Sequence, residues 1–423
     1  MKALGRLAIA TVLGMLLLAP RGSAQTRTGT FATLYSFQEN NGQDGVQPYA
    51  GLVAGKDAVL YGTTPFGGTS GAGTVFKLTP PGAAGGAWEE RILYNFVGGE
   101  HDGANPYGGL VLDANGDLYG TTAAGGPVNA GTVFKLRRPA QPPALWRETI
   151  LHDFGAIGDG ATPKAGLTVG ANGEMYGTTY YGGAPEPPPD CPGGCGTVFE
   201  LIPSKGAGWT ETVLYSFPGG GSDHANPAAG VVIGPGGVLY GTTVNGGTDA
   251  GTVFALKPPE AAGGEWAEAT LHTFGDGDGA FPYGDLVIDK NGALYGTTSD
   301  GAGTVFKLEP PAWTESFYAL TNGDSPYGGL VIGANGALYG TTYTGGTREP
   351  ICATTGCGTV FQVNPPTAPG GAWTETVLHD FTGANGDGAE PYAGLVLGAN
   401  GTLYGTTAGG GATGWGTVFA VTP

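Results

Sequence analysis

Leu60-Tyr61-Gly62-Thr63-Thr64 and Gly73-Thr74-Val75-Phe76-Lys77-Leu78 are two strand-like segments joined by a Gly-rich loop. The chain repeats this pair. Tyr-Gly-Thr-Thr begins at Tyr61, Tyr119, Tyr176, Tyr240, Tyr295, Tyr339 and Tyr404. Gly-Thr-Val-Phe begins at Gly73, Gly131, Gly196, Gly251, Gly303, Gly358 and Gly416. The Tyr-to-Tyr spacings of 58, 57, 64, 55, 44 and 65 residues suit a unit of about four short strands with their turns.

Each unit parses alike. A first strand follows a Pro, as in Gly51-Leu52-Val53, Gly109-Leu110-Val111 and Gly394-Leu395-Val396. A tight turn comes next, with Asn-Gly at 115–116, 172–173, 291–292, 335–336 and 400–401. Asn-Gly predicts a primed hairpin turn. Tyr-Gly-Thr-Thr is the second strand and Gly-Thr-Val-Phe the third. The fourth is Trp-x-Glu-x-x-Leu-Tyr/His-x-Phe, whose alternation would place Trp209, Glu211, Val213, Tyr215 and Phe217 on one face.

The phase of the repeat predicts a closed ring. The last unit stops after Gly416-Thr417-Val418-Phe419, without a fourth strand. Phe31 to Phe37 reads as a fourth strand with no three before it. Pairing the two abolishes the exposed edges of an open array. The expected fold is therefore an all-β, seven-bladed β-propeller of four-stranded blades. A linear β-solenoid is the alternative, and it leaves the complementary ends unexplained.

Gly and Pro, 85 and 32 of 423 residues, would signal disorder without a period. Here they punctuate the units. Residues 1–24 read as a signal peptide: Lys2 and Arg6, an apolar run from Leu7 to Pro20, then Gly22-Ser23-Ala24. Residues 25–423 would be one domain, secreted to the periplasm or beyond, with no membrane span and no C-terminal anchor. Without that leader, 14 basic residues face 35 acidic ones, a net charge of −21. Such a surface repels nucleic acid and anionic lipid. Cys191 with Cys195 and Cys352 with Cys357 read as local disulfides in two enlarged loops.

These units resemble the GloVer repeat of bacterial choice-of-anchor tandem repeat proteins. The resemblance spans the mature chain. It implies an exported protein with a propeller-like domain and supplies no catalytic residues. NHL-type propellers share a similar second strand more distantly.

In a propeller, the loop before strand one and the loop between strands two and three open on one face. The first loop carries Asp44, Asp102, Asp159, Asp223, Asp278, Asp324 and Asp387, mostly in Asp-Gly. Turn chemistry explains them; a ring of carboxylates holding Ca²⁺ is the alternative. No other cofactor is indicated. Pro-Tyr opens the first strand at Tyr49, Tyr107, Tyr283, Tyr327 and Tyr392, while Lys164 and Ala228 break the series. These tyrosines would pack between blades or form an aromatic rim able to stack on sugar rings. Trp415 stands outside the Trp repeat and is a further binding candidate. His152, His272 and His379 take a strand slot that other units fill with Tyr; His101 and His224 lie beside Asp in the loops.

No Gly-x-Ser-x-Gly, phosphate loop or zinc signature is present. The expectation is a secreted, monomeric binding or scaffold module for carbohydrate, cell-envelope polymer or protein. The alternative is a hydrolase or lyase with an acidic, metal-assisted site at the channel mouth.

Overall fold

The computed structural model describes residues 29–423, except 40–41, 84, 142–143, 184–190, 205–207, 220–224, 248, 262, 276, 349 and 367–370. The leader segment lies outside the described residues. Seven four-stranded antiparallel sheets follow one another along the chain. In blade one the strands are Val53–Ala54, Leu60–Thr64, Thr74–Thr79 and Glu89–Asn95. Blades two to six repeat that order. Blade seven takes Val396–Leu397, Leu403–Thr407 and Thr417–Thr422 from the end of the chain and Thr30–Ser36 from its beginning. Thr30 pairs with Thr422 and Ser36 with Thr417, so the ring is closed and the solenoid is excluded. Among the described residues, no helix is long and apolar enough to cross a membrane. Both disulfides are formed, Cys191–Cys195 and Cys352–Cys357.

The repeated motif is explained residue by residue. The third-strand Phe lies over the Gly of the second strand: a Cβ on Gly120 would stand 2.7 Å from Phe134 Cζ. Only Gly leaves room for that ring. In six blades the Phe ending the fourth strand meets the third-strand Phe of the next blade edge-on, and blade five has Leu320 in that place. Phe37–Phe76, Phe96–Phe134 and Phe381–Phe419 have centroids 5.1 Å apart. The first Thr of each pair donates to a carbonyl at the next blade's first strand, at 2.7–3.2 Å in all seven blades. Thr406 to Ala50 is the bond that crosses the closure. The second Thr shares a hydroxyl hydrogen bond with the third strand, as between Thr64 and Thr74 at 2.8 Å. In five blades the second-strand Tyr packs on the next blade's Trp, as Tyr61 does on Trp146.

Two local expectations change. At the Asn-Gly turns the Gly is left-handed (Gly116 φ 85°) and the Asn is not. Gly116 N–H donates to the Asp113 carbonyl at 3.0 Å. The loop is thus an ordinary turn followed by a glycine bulge, because five residues, 113–117, separate the paired Leu112 and Leu118. Consecutive left-handed residues occur instead in blades one and four, at Asp57-Ala58 and Gly236-Gly237.

The fourth strand does not keep its alternation. Val213 pairs with Phe199 and Tyr215 with Val198, leaving Leu214 as a bulge. A bulge shifts the following residue to the opposite face, so Tyr215 parts from Trp209, Glu211 and Val213. Equivalent shifts occur in six blades. Blade five has one residue fewer between Glu315 and Tyr318, and its register is regular.

Candidate functional site

The two Gly-rich loops of a blade do share a face. Gly45–Val46 pairs with Phe66–Gly67, and the same short ribbon recurs at 103–104 with 124–125 and at 388–389 with 409–410. Trp415 belongs to this loop layer but is half-buried, packed against the core around Phe37 and Val418. Its carbonyl accepts from Gln47 N–H at 2.9 Å.

The loop aspartates turn back onto their own turns. Asp44 is buried and accepts from Tyr35 Oη, Gln38 N–H and Gly45 N–H at 2.9, 2.9 and 2.7 Å. Asp102 accepts from Val97 and Gly103 N–H. Asp159, Asp278 and Asp387 add a histidine to the same pattern, from His152, His272 and His379 at 3.1, 2.9 and 3.1 Å. The bulge makes this possible, since it turns the Tyr/His slot toward the loop. None of these carboxylates lines the central channel. Asp223 and His224 lie outside the described residues. His101 is exposed.

Asp324 departs from the series. The ribbon pairs Gly323 with Gly345 as it pairs Gly45 with Gly67, so Asn322 occupies the aspartate position. Glu375 of the next fourth strand supplies the carboxylate, accepting from Thr321 N–H and Oγ1 at 2.9 and 2.7 Å.

The fourth-strand glutamates form a feature that the sequence reading passed over. Among the described residues, Glu90, Glu148, Glu211 and Glu315 each hold a buried Oε1 with no hydrogen-bond partner. Burial, then the neighbouring loop aspartate, pushes Glu90 and Glu148 up to about 8 and Glu211 and Glu315 up to about 7. Burial pulls His152 down, but its bond and attraction to Asp159 outweigh that and hold it above the usual histidine value. Burial raises Asp387, yet the His379 bond outweighs it and keeps the carboxyl low. In blade seven Phe31 takes the glutamate's place and stacks on His379, centroids 3.6 Å apart. The groups His152/Asp159/Glu211 and His272/Asp278/Glu315 each bring three ligand atoms within 4.8 Å of one another, so these are the residues that could hold a metal ion.

The Pro-Tyr tyrosines take a different course and converge. Tyr49, Tyr107, Tyr283, Tyr327 and Tyr392 line one central cavity of about 430 Å³, with Lys164 and Ala228 completing the ring. All five are half-buried. Tyr327 stacks on Tyr392 with centroids 4.9 Å apart, and Tyr49 meets Tyr392 edge-on at 5.1 Å. Tyr343 joins from the loop between strands two and three, 5.5 Å from Tyr327. Burial and the Glu390 charge raise its phenol to about 12.

Backbone geometry fixes the crown. Gln47, Asn105, Thr162, Asn226, Phe281, Ser325 and Glu390, each preceding a proline, all have φ of 55–59°. That conformation is rare for Thr and Phe. It is held by neighbours on both sides: Asn105 N–H donates to the Ala72 carbonyl at 2.8 Å, and its carbonyl accepts from Ala123 N–H at 3.0 Å. The turn recurs in every blade, so it belongs to ring construction.

Asp285 is the channel residue that repeat-based reading missed. Six blades have Gly at that first-strand position. Its side chain is open to the channel and accepts from Gly230 N–H at 2.7 Å. The available signal was the substitution of Gly by Asp in one unit out of seven.

Solved structures of similar shape agree with this architecture. A "putative 6-phosphogluconolactonase" from Bacteroides uniformis is 17% identical, with 82% of this chain and 88% of that chain covered and a TM-score of 0.50. The extracellular domain of a "putative hybrid two component system" from B. thetaiotaomicron is 11% identical, with 92% and 39% covered and a TM-score of 0.51. At such identities the likeness concerns the fold alone. No curated protein matches the chain. The Gloeobacter/Verrucomicrobia repeat matches residues 23–187, 190–368 and 303–423. With that coverage and seven Tyr-Gly-Thr-Thr blades, the chain belongs to the Gloeobacter/Verrucomicrobia repeat family.

Proposed function

We propose that this protein is an exported binding module that holds carbohydrate at the mouth of its channel. The observation that carries the reading is the convergence of five tyrosines on one cavity of about 430 Å³. A phenol offers a flat apolar face for the C–H side of a sugar and a hydroxyl for its polar rim. Half-buried rings held by their neighbours lose little freedom on binding. The repeated Phe and Thr side chains are occupied within and between the blades, whereas the crown tyrosines face an open cavity. Two disulfides in loops on the same face support an oxidising compartment, as does the leader-like sequence of residues 1–24.

A glycan array followed by calorimetry tests the reading. Tyr107→Ala and Tyr327→Ala are expected to weaken the best ligand about tenfold each, the scale of one lost aromatic contact of about 1.5 kcal/mol. Retention of no glycan, or an affinity unchanged from the parent protein in both variants, would sink it.

A further inference from the structure

Among the described residues, two charged side chains line the central cavity, Lys164 and Asp285. Both break the repeat. Lys164 stands where five units carry Tyr, and Asp285 where six carry Gly. Blade four lies between the blades that supply them, and its crown position is Ala228. The aromatic rim is therefore open at that point. Tyr180 and Tyr283 flank the gap, and burial, then the nearby Tyr283, raises the Tyr180 phenol.

Lys164 is held ready in this gap. Its Nζ lies 3.4 Å from the Tyr180 ring centroid. No carboxylate pairs with it among the described residues, and burial alone lowers its pKa. A half-buried ammonium without a counter-ion is unusual in a chain of net charge −18. It is a point charge suited to an incoming anion. Asp285 reaches toward the same blade from the other side, bonding Gly230 N–H of blade four at 2.7 Å. A carboxyl retains acceptor capacity beyond one such bond, so it can take a sugar hydroxyl. Cation and acceptor on opposite flanks of one gap give a ligand a fixed orientation.

We propose that the gap over blade four is a subsite for a sugar bearing an anionic group. Lys164 takes the anion, the ring lies against Tyr283, and Asp285 accepts a hydroxyl. The inference rests on the carbohydrate reading and narrows it. The overall negative charge disfavours long polyanions, so the probes are short.

The test compares three matched oligosaccharides by calorimetry: a galacturonate trimer, the neutral galactose trimer and a sulfated galactose trimer. The intact protein is expected to prefer an acidic trimer over the neutral one by roughly tenfold, as befits a charge-assisted contact. Lys164→Met should bring the acidic-to-neutral ratio to about one, while Lys164→Arg should keep it. Preference for galacturonate or for sulfate identifies which anion the subsite takes, and either supports the proposal. Equal binding of neutral and acidic trimers by the intact protein, with Tyr107→Ala still weakening both, overturns the subsite and leaves the carbohydrate reading standing. Loss of preference in Lys164→Arg as well as Lys164→Met, with melting temperatures unchanged, also overturns it. Binding of no trimer removes both.

Discussion

At the scale of single residues, each letter of Tyr-Gly-Thr-Thr has a separate physical duty. The Gly admits the Phe ring, the first Thr ties a blade to the next, and the second Thr ties two strands. Gly120→Ala should overpack that contact and cost roughly 1–3 kcal/mol. Thr121→Val removes the donor to the buried Ala165 carbonyl, a bond of 2.7 Å, and should cost a similar roughly 1–3 kcal/mol. Urea denaturation measures both, and a loss below about 0.5 kcal/mol in either would contradict the assigned role. The identity of these residues was legible in the sequence because they recur. Their partners were not: Thr121 and Ala165 are 44 positions apart.

At the scale of elements, one bulged leucine in six of the seven fourth strands governs where the loop aspartates go. Period-2 counting put Tyr215 beside Val213, and the bulge at Leu214 separated them. The pattern carried no mark of this, since Leu fits either a regular or a bulged site. The one-residue deletion in blade five is the natural comparison, and it lacks the bulge. The closing strand is the other decisive element. Deleting residues 29–36 should bare the edge at Thr417–Thr422, which the Thr30–Ser36 strand covers. An unpaired edge recruits another chain. Size-exclusion chromatography is expected to show association or aggregation; a monomer with an unchanged melting temperature would refute the closure as a stabilising contact.

At the scale of the whole molecule, the same interblade groove recurs around the ring with a raised glutamate in it. Glu90, Glu148, Glu211 and Glu315 have folded pKa values of about 7–8, against an ordinary 4.5. A carboxyl raised in the folded state contributes fully below its unfolded value. Its contribution falls as pH climbs from about 4.5 through 8. The melting temperature should therefore drop between pH 6 and pH 9, and Glu148→Gln should flatten that slope. A level profile in the parent protein, or an identical slope in the variant, would remove these groups as its cause.

The sequence by itself determined the blade count, the strand order and the closure, because a period and its phase are properties of one dimension. It also marked the crown tyrosines and the two disulfides. Tertiary structure decided which marked residues share a place. Seven tyrosine or non-tyrosine positions, spaced by whole blades, meet at one axis because each first strand faces it. The described aspartates, a few residues earlier in the same loops, do not. Their bonds to adjacent backbone N–H groups and to a bulge-turned Tyr or His hold them at the blade interfaces. Asp285 departs from the repeat in the sequence, but only the fold places it in the channel wall, at a position that the six other blades fill with Gly.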